Sequence, residues 1–167
     1  MSTQQLIVGR LLCELKGAER IALGPGLPRS VVPYLSASQS WIDLGVPKTS
    51  IEHVDVALVE AVEVSDAGDL AASDGTSVEN VVAETWIAAG TLRSQHGNLE
   101  MVRECTLPVQ LRQRVNLVVT ELGVIRVGGI GFELLEISPG IASDDIRLQV
   151  RASLHVVDDL KRMQLCA

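Results

Sequence analysis

RECTLPVQLRQRVNLVVTELGVIRVGGIGFELLEISPG, residues 103–140, is the stretch that decides the fold. Its centre, Val115 to Val127, is mostly β-branched or aliphatic, which is typical of a strand buried on both faces. The glycine-rich run Gly128–Gly131 predicts a tight reversal, because glycine readily adopts positive φ. Phe132 to Ile137 is predicted as the return strand, and Pro139 ends it because proline donates no ladder hydrogen bond. The stretch therefore predicts two apolar strands joined by a tight turn.

Length and composition predict one α/β domain over residues 1–167. The chain is 47% hydrophobic but only 2% aromatic, so its core must be built from aliphatic side chains. Fourteen glycines favour a chain with many turns between strands and helices. We therefore expect a sheet flanked by helices with a core of Val, Leu, Ile and Ala.

The net charge limits the kinds of molecule that the protein can bind, and the cysteines indicate the cellular compartment. A net charge of −7 argues against binding to nucleic acid or to an anionic membrane, since both require clustered Lys and Arg. Cys13, Cys105 and Cys166 show no paired spacing, so we expect reduced thiols and no metal site. The N-terminus lacks the basic start of a signal peptide, and the sequence predicts a cytoplasmic protein.

The first third of the chain predicts a helix, a strand and a glycine loop. Thr3 to Gly17 has helical apolar spacing, and Arg20 to Leu23 is a short strand. The loop Gly24–Pro28 follows, and Arg29 to Leu35 begins a second helix. A strand, glycine loop and helix start can form an anion site, because the first helical N–H groups point outward. The alternative is a tight turn that only packs the helix on the strand, and this alternative is favoured on the motif alone.

The remaining elements follow from the same reasoning about periodicity and turn residues. They are a loop over 36–50, a buried strand over 51–63, a helix over 77–84, a strand over 85–92, a polar turn over 93–98 and a helix from Ser143 towards Met163.

Several segments, in order and at similar spacing, resemble one family. They are Glu104–Pro108 (ECTLP), Arg114–Leu122, Glu136–Gly140 (EISPG), Gly24-x-Gly26-x-Pro28, His53–Ala57 (HVDVA) and Gly68–Ala71 (GDLA). Together they resemble the β subunit of class I coenzyme A-transferases, and the first three of them, matched in register, are more specific than any single pentapeptide.

The resemblance implies an open, largely parallel mixed sheet flanked by helices, as in a CoA-transferase β subunit. It also implies a protein that acts on a small-molecule acyl-CoA thioester, with coenzyme A as substrate and no permanently bound cofactor. The implied partner is an α-type subunit, or another copy of this chain. The resemblance places the coenzyme-binding residues at Gly24, Gly26, Pro28, Gly68 and Asp69.

The family's catalytic segment is missing. In the family a glutamate within Ser-Glu-Asn-Gly attacks the thioester, and this segment lies between the glycine-loop helix and the His-Leu-Asp strand. Here the short run from Ser36 to Glu52 crosses that interval without the motif. Three functions stay open: a β-type transferase subunit, a repurposed enzyme that decarboxylates or hydrolyses a CoA thioester, and a non-catalytic stabilising or regulatory partner. The catalytic residues stay unassigned.

Two acidic residues and one thiol are candidates to replace the family's catalytic glutamate. Glu60 and Glu63 lie on or just after an apolar strand, where a carboxylate has a raised pKa. The favoured interpretation is that Glu60 faces solvent or pairs with an Arg at an interface. Cys105 is favoured as a structural thiol over a nucleophile.

Other polar and aromatic residues have structural interpretations as well. His53, His96 and His155 are too far apart in sequence to suggest a metal site, and His155 is expected on a helix. Asp69 is expected to stabilise its turn, although it could line the cleft because the motif follows a strand. The two tryptophans are the largest apolar anchors, and Trp41 is either a subunit contact or a cover over the core.

Overall fold

The computed structural model describes residues 1–92, 99–128 and 131–167. The predicted polar turn over 93–98, with His96, and positions 129 and 130 of the predicted reversal lie outside these residues. The helices are α1 (Thr3–Glu14), a 3-10 helix (Leu27–Tyr34) and α2 (Ser143–Arg147). The strands of the described residues are β1 (Arg20–Leu23), β2 (Ser40–Asp43), β3 (Glu52–Ser65), β4 (Leu70–Ala72), β5 (Val81–Ala89), β6 (Glu100–Val102), β7 (Val115–Val119), β8 (Gly123–Val127), β9 (Phe132–Ile137), β10 (Val150–Arg151) and β11 (Leu154–Arg162).

The strands form a mixed sheet whose centre is parallel. β2, β1, β3, β5 and β7 lie side by side in this order, and all four pairings are parallel. β7, β8 and β9 then form an antiparallel meander, and β11 pairs with β9 in parallel. The C-terminal part of β3 extends beyond this block and pairs with β4 and β6. The predicted α/β architecture, an open and largely parallel mixed sheet, is confirmed.

Two aliphatic clusters cover the faces of the sheet. One contains the buried Trp86 and Phe132, and the other contains Ile7 and Leu11 of α1 packed against strand residues such as Leu58. Ser2 caps α1 by accepting a hydrogen bond from the Gln5 N–H (3.1 Å). The helix places its N-terminal turn beside the carboxyl ends of β1 and β3.

Cys13 and Cys166 form a disulfide, so the prediction of three reduced thiols is wrong for this pair. The bond ties the C-terminus to α1, and the Cys166 N–H donates to the Gly9 carbonyl at 2.8 Å. The two cysteines are 153 residues apart, and sequence spacing gives no signal for a pairing over that distance. Cys105 is the free thiol.

The single strand predicted over Val115–Val127 is two strands, β7 and β8, joined by a tight hairpin turn. Thr120 makes the turn: its hydroxyl oxygen accepts from the N–H groups of Leu122 (3.2 Å) and Gly123 (3.1 Å) and donates to the Gly123 carbonyl (2.9 Å). A Cβ at Gly123 would lie 2.4 Å from the Glu136 carbonyl oxygen, so the position requires glycine. The run of aliphatic residues hides the reversal from pattern analysis, whereas the return strand β9 has the predicted bounds.

The predicted C-terminal helix is also wrong beyond its first turns. α2 ends at Arg147, and the chain continues as β10 and β11, which place His155 on a strand. Asp144 and Asp145 lie in the first turn of α2 as predicted. Tertiary pairing with β9 decides the conformation of β11, because its half-exposed sequence has no strong preference of its own.

Three further predictions need correction. The helix predicted over 77–84 is a turn followed by the start of β5, because Asn80 adopts a φ of 63° that ends any helix. The loop predicted over 36–50 contains the edge strand β2. The second predicted helix is a 3-10 helix, and Pro33 in its interior removes a donor that an α-helical turn requires, whereas Pro28 in the first turn removes none.

Within the residues described here, no helix is long and apolar enough to cross a membrane.

Candidate functional site

A cleft opens where the parallel strands leave the sheet at their carboxyl ends. β1 ends at Leu23, opposite Leu58 of β3, and β3 continues to Glu60, opposite Ala89 at the end of β5. The loop after β1 therefore turns away just before Glu60. In open α/β sheets, such points are the usual position of ligand sites.

The cleft has a volume of about 640 Å³. The N-terminal turn of α1, the 3-10 helix and the segments that follow β4 and β5 form its walls. Its polar side chains are Thr3, Gln4, Ser30, Glu60, Ser73 and Thr91. Of the described lining residues, Glu60 is therefore the one with an ionisable side chain.

Glu60 lies directly beneath the glycine loop. Burial raises the pKa of its carboxyl, and a hydrogen bond donated by the Leu27 N–H opposes this rise only in part. A Cβ at Gly26 would lie 2.3 Å from Glu60 Oε2, so the carboxylate occupies the space that the missing side chain leaves. Gly26 itself has a φ of 83°, which only glycine adopts readily.

Glu60 thus faces the cleft, and its pairing with an arginine at an interface stays a prediction. None of the ion pairs among the described residues involves Glu60. The side chain is half-buried, faces the cleft and has one backbone donor. A carboxylate with these properties is available for acid–base or nucleophilic chemistry.

The other residues of the predicted glycine loop fix its two ends. The Gly24 N–H donates to the Leu58 carbonyl at 2.9 Å, which holds the start of the loop on β3. Pro28 is buried near the start of the 3-10 helix. Gln4 Nε2 donates to Ser30 Oγ at 2.8 Å and so connects α1 to this helix across the cleft.

Gly68 and Asp69 do not line this cleft. The Gly68 carbonyl accepts from the N–H groups of Arg114 and Val115 (both 3.1 Å), and Asp69 Oδ1 accepts from the Gln113 N–H at 2.9 Å. These contacts dock the turn after β3 onto the segment that leads into β7. They support the expected turn-stabilising role of Asp69, and coenzyme binding by this pair stays a prediction.

Glu63 is a structural residue that anchors the ECTLP segment. Its carboxylate is 2% exposed and accepts from the Thr106 N–H (2.9 Å), the Thr106 hydroxyl (2.8 Å) and the Leu107 N–H (2.8 Å). Burial raises the pKa of Glu63, but these hydrogen bonds together outweigh it and lower the pKa. Its carboxylate oxygens are therefore fully engaged.

The remaining sequence candidates lie elsewhere. The Cys105 Sγ donates to the Asp69 carbonyl at 3.8 Å, and burial, assisted by nearby Glu63 and Asp69, raises the pKa of the thiol. A raised pKa leaves less thiolate, which agrees with a structural role. His53 begins β3 and is exposed, Trp86 is buried in the core, and Trp41 is 38% exposed on the edge strand β2.

Sequence reasoning missed the hydroxyl-bearing residues that line the cleft together with Glu60. Ser73 follows β4, and its N–H donates to the Glu60 carbonyl at 2.9 Å, while Thr91 follows β5. Their positions just after strands are the usable signal, because the ends of neighbouring strands meet around the same cleft. Serine and threonine are too common after strands for this signal to select them alone.

Comparison with curated proteins reveals relatives over the whole chain. The acetate CoA-transferase subunit beta of Haemophilus influenzae is 24% identical over 216 aligned positions, covering 99% of this chain and 97% of that protein. The corresponding Escherichia coli subunit is 22% identical over 96% of this chain and 97% of that protein. This chain has 167 residues, so it lacks segments that these relatives contain. No protein-family model matches the chain.

Solved structures show the same fold. An acyl-CoA transferase, YdiF, of E. coli O157:H7 superposes with a TM-score of 0.78 at 15% identity, and the match covers 98% of this chain but 43% of YdiF. The decarboxylase AibA/AibB gives a TM-score of 0.69 at 15% identity, covering 99% of this chain and 90% of that one. The glutaconate coenzyme A-transferase of Acidaminococcus fermentans gives 0.65 at 9% identity, covering 100% and 90%.

Proposed function

Because the chain is a β-type relative of the class I coenzyme A-transferases, we propose that it is the β-type subunit of a complex that acts on an acyl-CoA thioester. The observation that carries the proposal is the cleft with Glu60 beneath the glycine loop, in a chain related end to end to acetate CoA-transferase β subunits. A carboxylate, a backbone donor and an apolar wall are what acyl transfer requires of such a cleft.

Coenzyme A enters this proposal as a substrate and leaves with each turnover. The loop Gly24–Pro28 is assigned to its binding, because Gly26 lines the cleft and exposes backbone to it. Gly68 and Asp69 belong to this assignment only through the resemblance, since their contacts are with the segment before β7.

The proposed partner is an α-type chain, with a second copy of this chain as the alternative. The H. influenzae and E. coli relatives are named as β subunits, which supports a complex of unlike chains. β2 pairs with β1 alone among the described strands, so its other edge is open. Exposed Trp41 lies on that edge strand, and exposed Tyr34 and Val46 lie close to it in sequence. These features support an interface at this edge.

Decarboxylation or hydrolysis of a CoA thioester is the second candidate. Two observations favour it: the family's Ser-Glu-Asn-Gly segment is missing, and AibA/AibB is a decarboxylase with the same fold. Such reactions proceed by positioning and polarisation and need no acylated glutamate. A cytoplasmic location, expected from the sequence, is part of both proposals.

Copurification followed by a thioester assay tests the function. An affinity-tagged chain is expressed in its source cells, the bound chains are identified by mass spectrometry, and the complex is tested for consumption of succinyl-CoA and acetyl-CoA with acetate as acceptor. We expect an α-type chain and thioester consumption that Gly26→Ala reduces. Recovery of the α-type chain with consumption indifferent to Gly26→Ala would instead support the non-catalytic partner role.

A further inference from the structure

The Glu60 carboxylate is an ionisable group in the cleft that has no assigned role. It is the ionisable side chain among the described residues of the cleft, at the point where β1 diverges from β3. Gly26 and Leu27 lie against the Glu60 carboxylate, and Ser73 lines the same cleft. Glu60 thus shares the cleft with polar groups, although it occupies a position where the resembled family has glycine.

The interval that carries the family's glutamate supplies no substitute here. It contains β2 and a turn, and its acidic residues, Asp43 and Glu52, do not line the cleft. Asp43 pairs with Arg29 and also accepts the Gly45 N–H at 2.7 Å. Glu63 is also unavailable, because both of its carboxylate oxygens accept hydrogen bonds from the ECTLP segment.

We propose that Glu60 is the catalytic nucleophile of this chain, the carboxylate that becomes acylated when an acyl-CoA thioester enters the cleft. This inference rests on the proposed function and selects its transferase form over the decarboxylating or hydrolytic one. It also moves the reacting group from the segment after β1 and β2 to the neighbouring strand β3.

The steps balance without any further reactant beyond a carboxylate acceptor. A Glu60 oxygen attacks the thioester carbonyl carbon, the carbon–sulfur bond breaks, and coenzyme A leaves as a thiolate with the bonding electrons. The product on the protein is a mixed anhydride. The thiolate then attacks Glu60 Cδ, releases the first carboxylate and leaves a glutamyl thioester. A second carboxylate repeats the two steps in reverse and departs as the new acyl-CoA.

The Leu27 N–H contributes at two stages of this reaction. In the resting state it donates to the Glu60 carboxylate. When the thiolate adds to Glu60 Cδ, negative charge develops on the Glu60 oxygens, and a backbone donor beside this carboxylate stabilises that charge. Gly26 is required by the same geometry, since a side chain there would displace the carboxylate.

Borohydride trapping identifies the acylated residue. The full chain, alone and with the α-type chain recovered by copurification, is incubated with succinyl-CoA or acetyl-CoA and reduced with borohydride. A glutamyl thioester is reduced to the alcohol, so the Glu60 peptide loses one oxygen and gains two hydrogens. Glu60→Gln abolishes this product and lowers turnover by at least about a thousandfold, as removal of a covalent nucleophile does.

Glu52→Gln is the matched control, because Glu52 lies on the same strand but pairs with Arg20 outside the cleft. It should retain the Glu60 product and wild-type turnover. Glu60→Gln keeps an oxygen for the Leu27 N–H, and a thermal melt establishes that it folds.

Calorimetric measurement of acetyl-CoA binding distinguishes a failure of the Glu60 assignment from a failure of the proposed function. Binding and turnover without a reduced Glu60, a reduced residue elsewhere, or wild-type turnover in Glu60→Gln would overturn the inference and leave the proposed function standing. Absence of both binding and turnover in the copurified complex would overturn the proposed function, and the inference with it.

Discussion

Replacing Gly26 with alanine tests the geometry on which the site depends. The new Cβ would lie 2.3 Å from Glu60 Oε2 and 3.2 Å from its Cδ, so the Glu60 side chain must move. The backbone at position 26 has φ 83° and ψ −133°, which an alanine adopts only under strain. The substitution therefore acts on the backbone and on the carboxylate at once.

The two effects have estimable sizes. A strained φ/ψ costs about 1–3 kcal/mol. Loss of the hydrogen bond between Leu27 and Glu60 adds about 1 kcal/mol. We expect Gly26→Ala to lower the free energy of unfolding by about 2–4 kcal/mol. Displacement of the reacting carboxylate by about 1 Å should lower turnover about a hundredfold.

Gly75→Ala is the matched control, because Gly75 has a φ of 84° and open space where its Cβ would lie. Comparing the urea unfolding of both variants isolates the contact with Glu60. Gly26→Ala should lower the free energy of unfolding by about 1 kcal/mol more than Gly75→Ala does. Combining Gly26→Ala with Glu60→Ala removes the clash, so the pair should couple by about 1–2 kcal/mol. Equal costs for the two glycine variants and no coupling would refute the placement of Glu60 against Gly26.

Three further predictions concern the frame around the cleft. Glu63→Ala leaves two backbone donors and one hydroxyl without their acceptor, so it should lower the free energy of unfolding by about 2–5 kcal/mol in urea titration. Because the folded pKa of Glu63 is lowered, its ionisation stabilises the fold above the unfolded pKa, about 4.3, and this contribution is lost as pH falls through the folded pKa. Glu63→Gln should therefore show a weaker acid dependence of stability than wild type, and an unchanged acid dependence would count against the anchoring role. Reduction of the Cys13–Cys166 disulfide should lower the unfolding free energy by up to about 5 kcal/mol, since the bond closes a loop of 153 residues; alkylation of the unreduced, denatured chain should label Cys105 alone. Trp41→Arg should dissociate the copurified complex in light scattering while the chain itself stays folded, because Trp41 is exposed on an edge strand; a complex that stays intact in this variant would contradict an interface there.

The sequence alone predicted the bounds of strands that end close to glycine and proline. β1 and β9 have the predicted bounds, because Gly24-Pro25 follows β1 directly and Pro139-Gly140 follows β9 after one residue. The aliphatic core and the mixed parallel sheet also follow from composition and from the resemblance. The wrong predictions lie where pairing with distant strands overrides local preference, as in β11, or where a hydroxyl makes a turn inside an apolar run, as at Thr120.

The candidate site was predictable in part for the same reason. The resemblance assigns Gly26 to coenzyme binding, whereas the loop motif alone favours a packing turn; in the structure Gly26 lines the cleft. The orientation of Glu60 depends on where β1 leaves β3, which is a property of register and not of local sequence. Gly68 and Asp69 also follow a strand, but β3 extends beyond the parallel block, so their turn lies against the segment before β7.

A crystal structure of the complex with bound coenzyme A tests the central claim most directly. The account predicts that the thiol of the coenzyme lies in the cleft within van der Waals reach of the Glu60 carboxylate and that the Gly24–Pro28 loop contacts the bound molecule. A coenzyme seated away from Glu60, for example against Gly68 and Asp69, would contradict it.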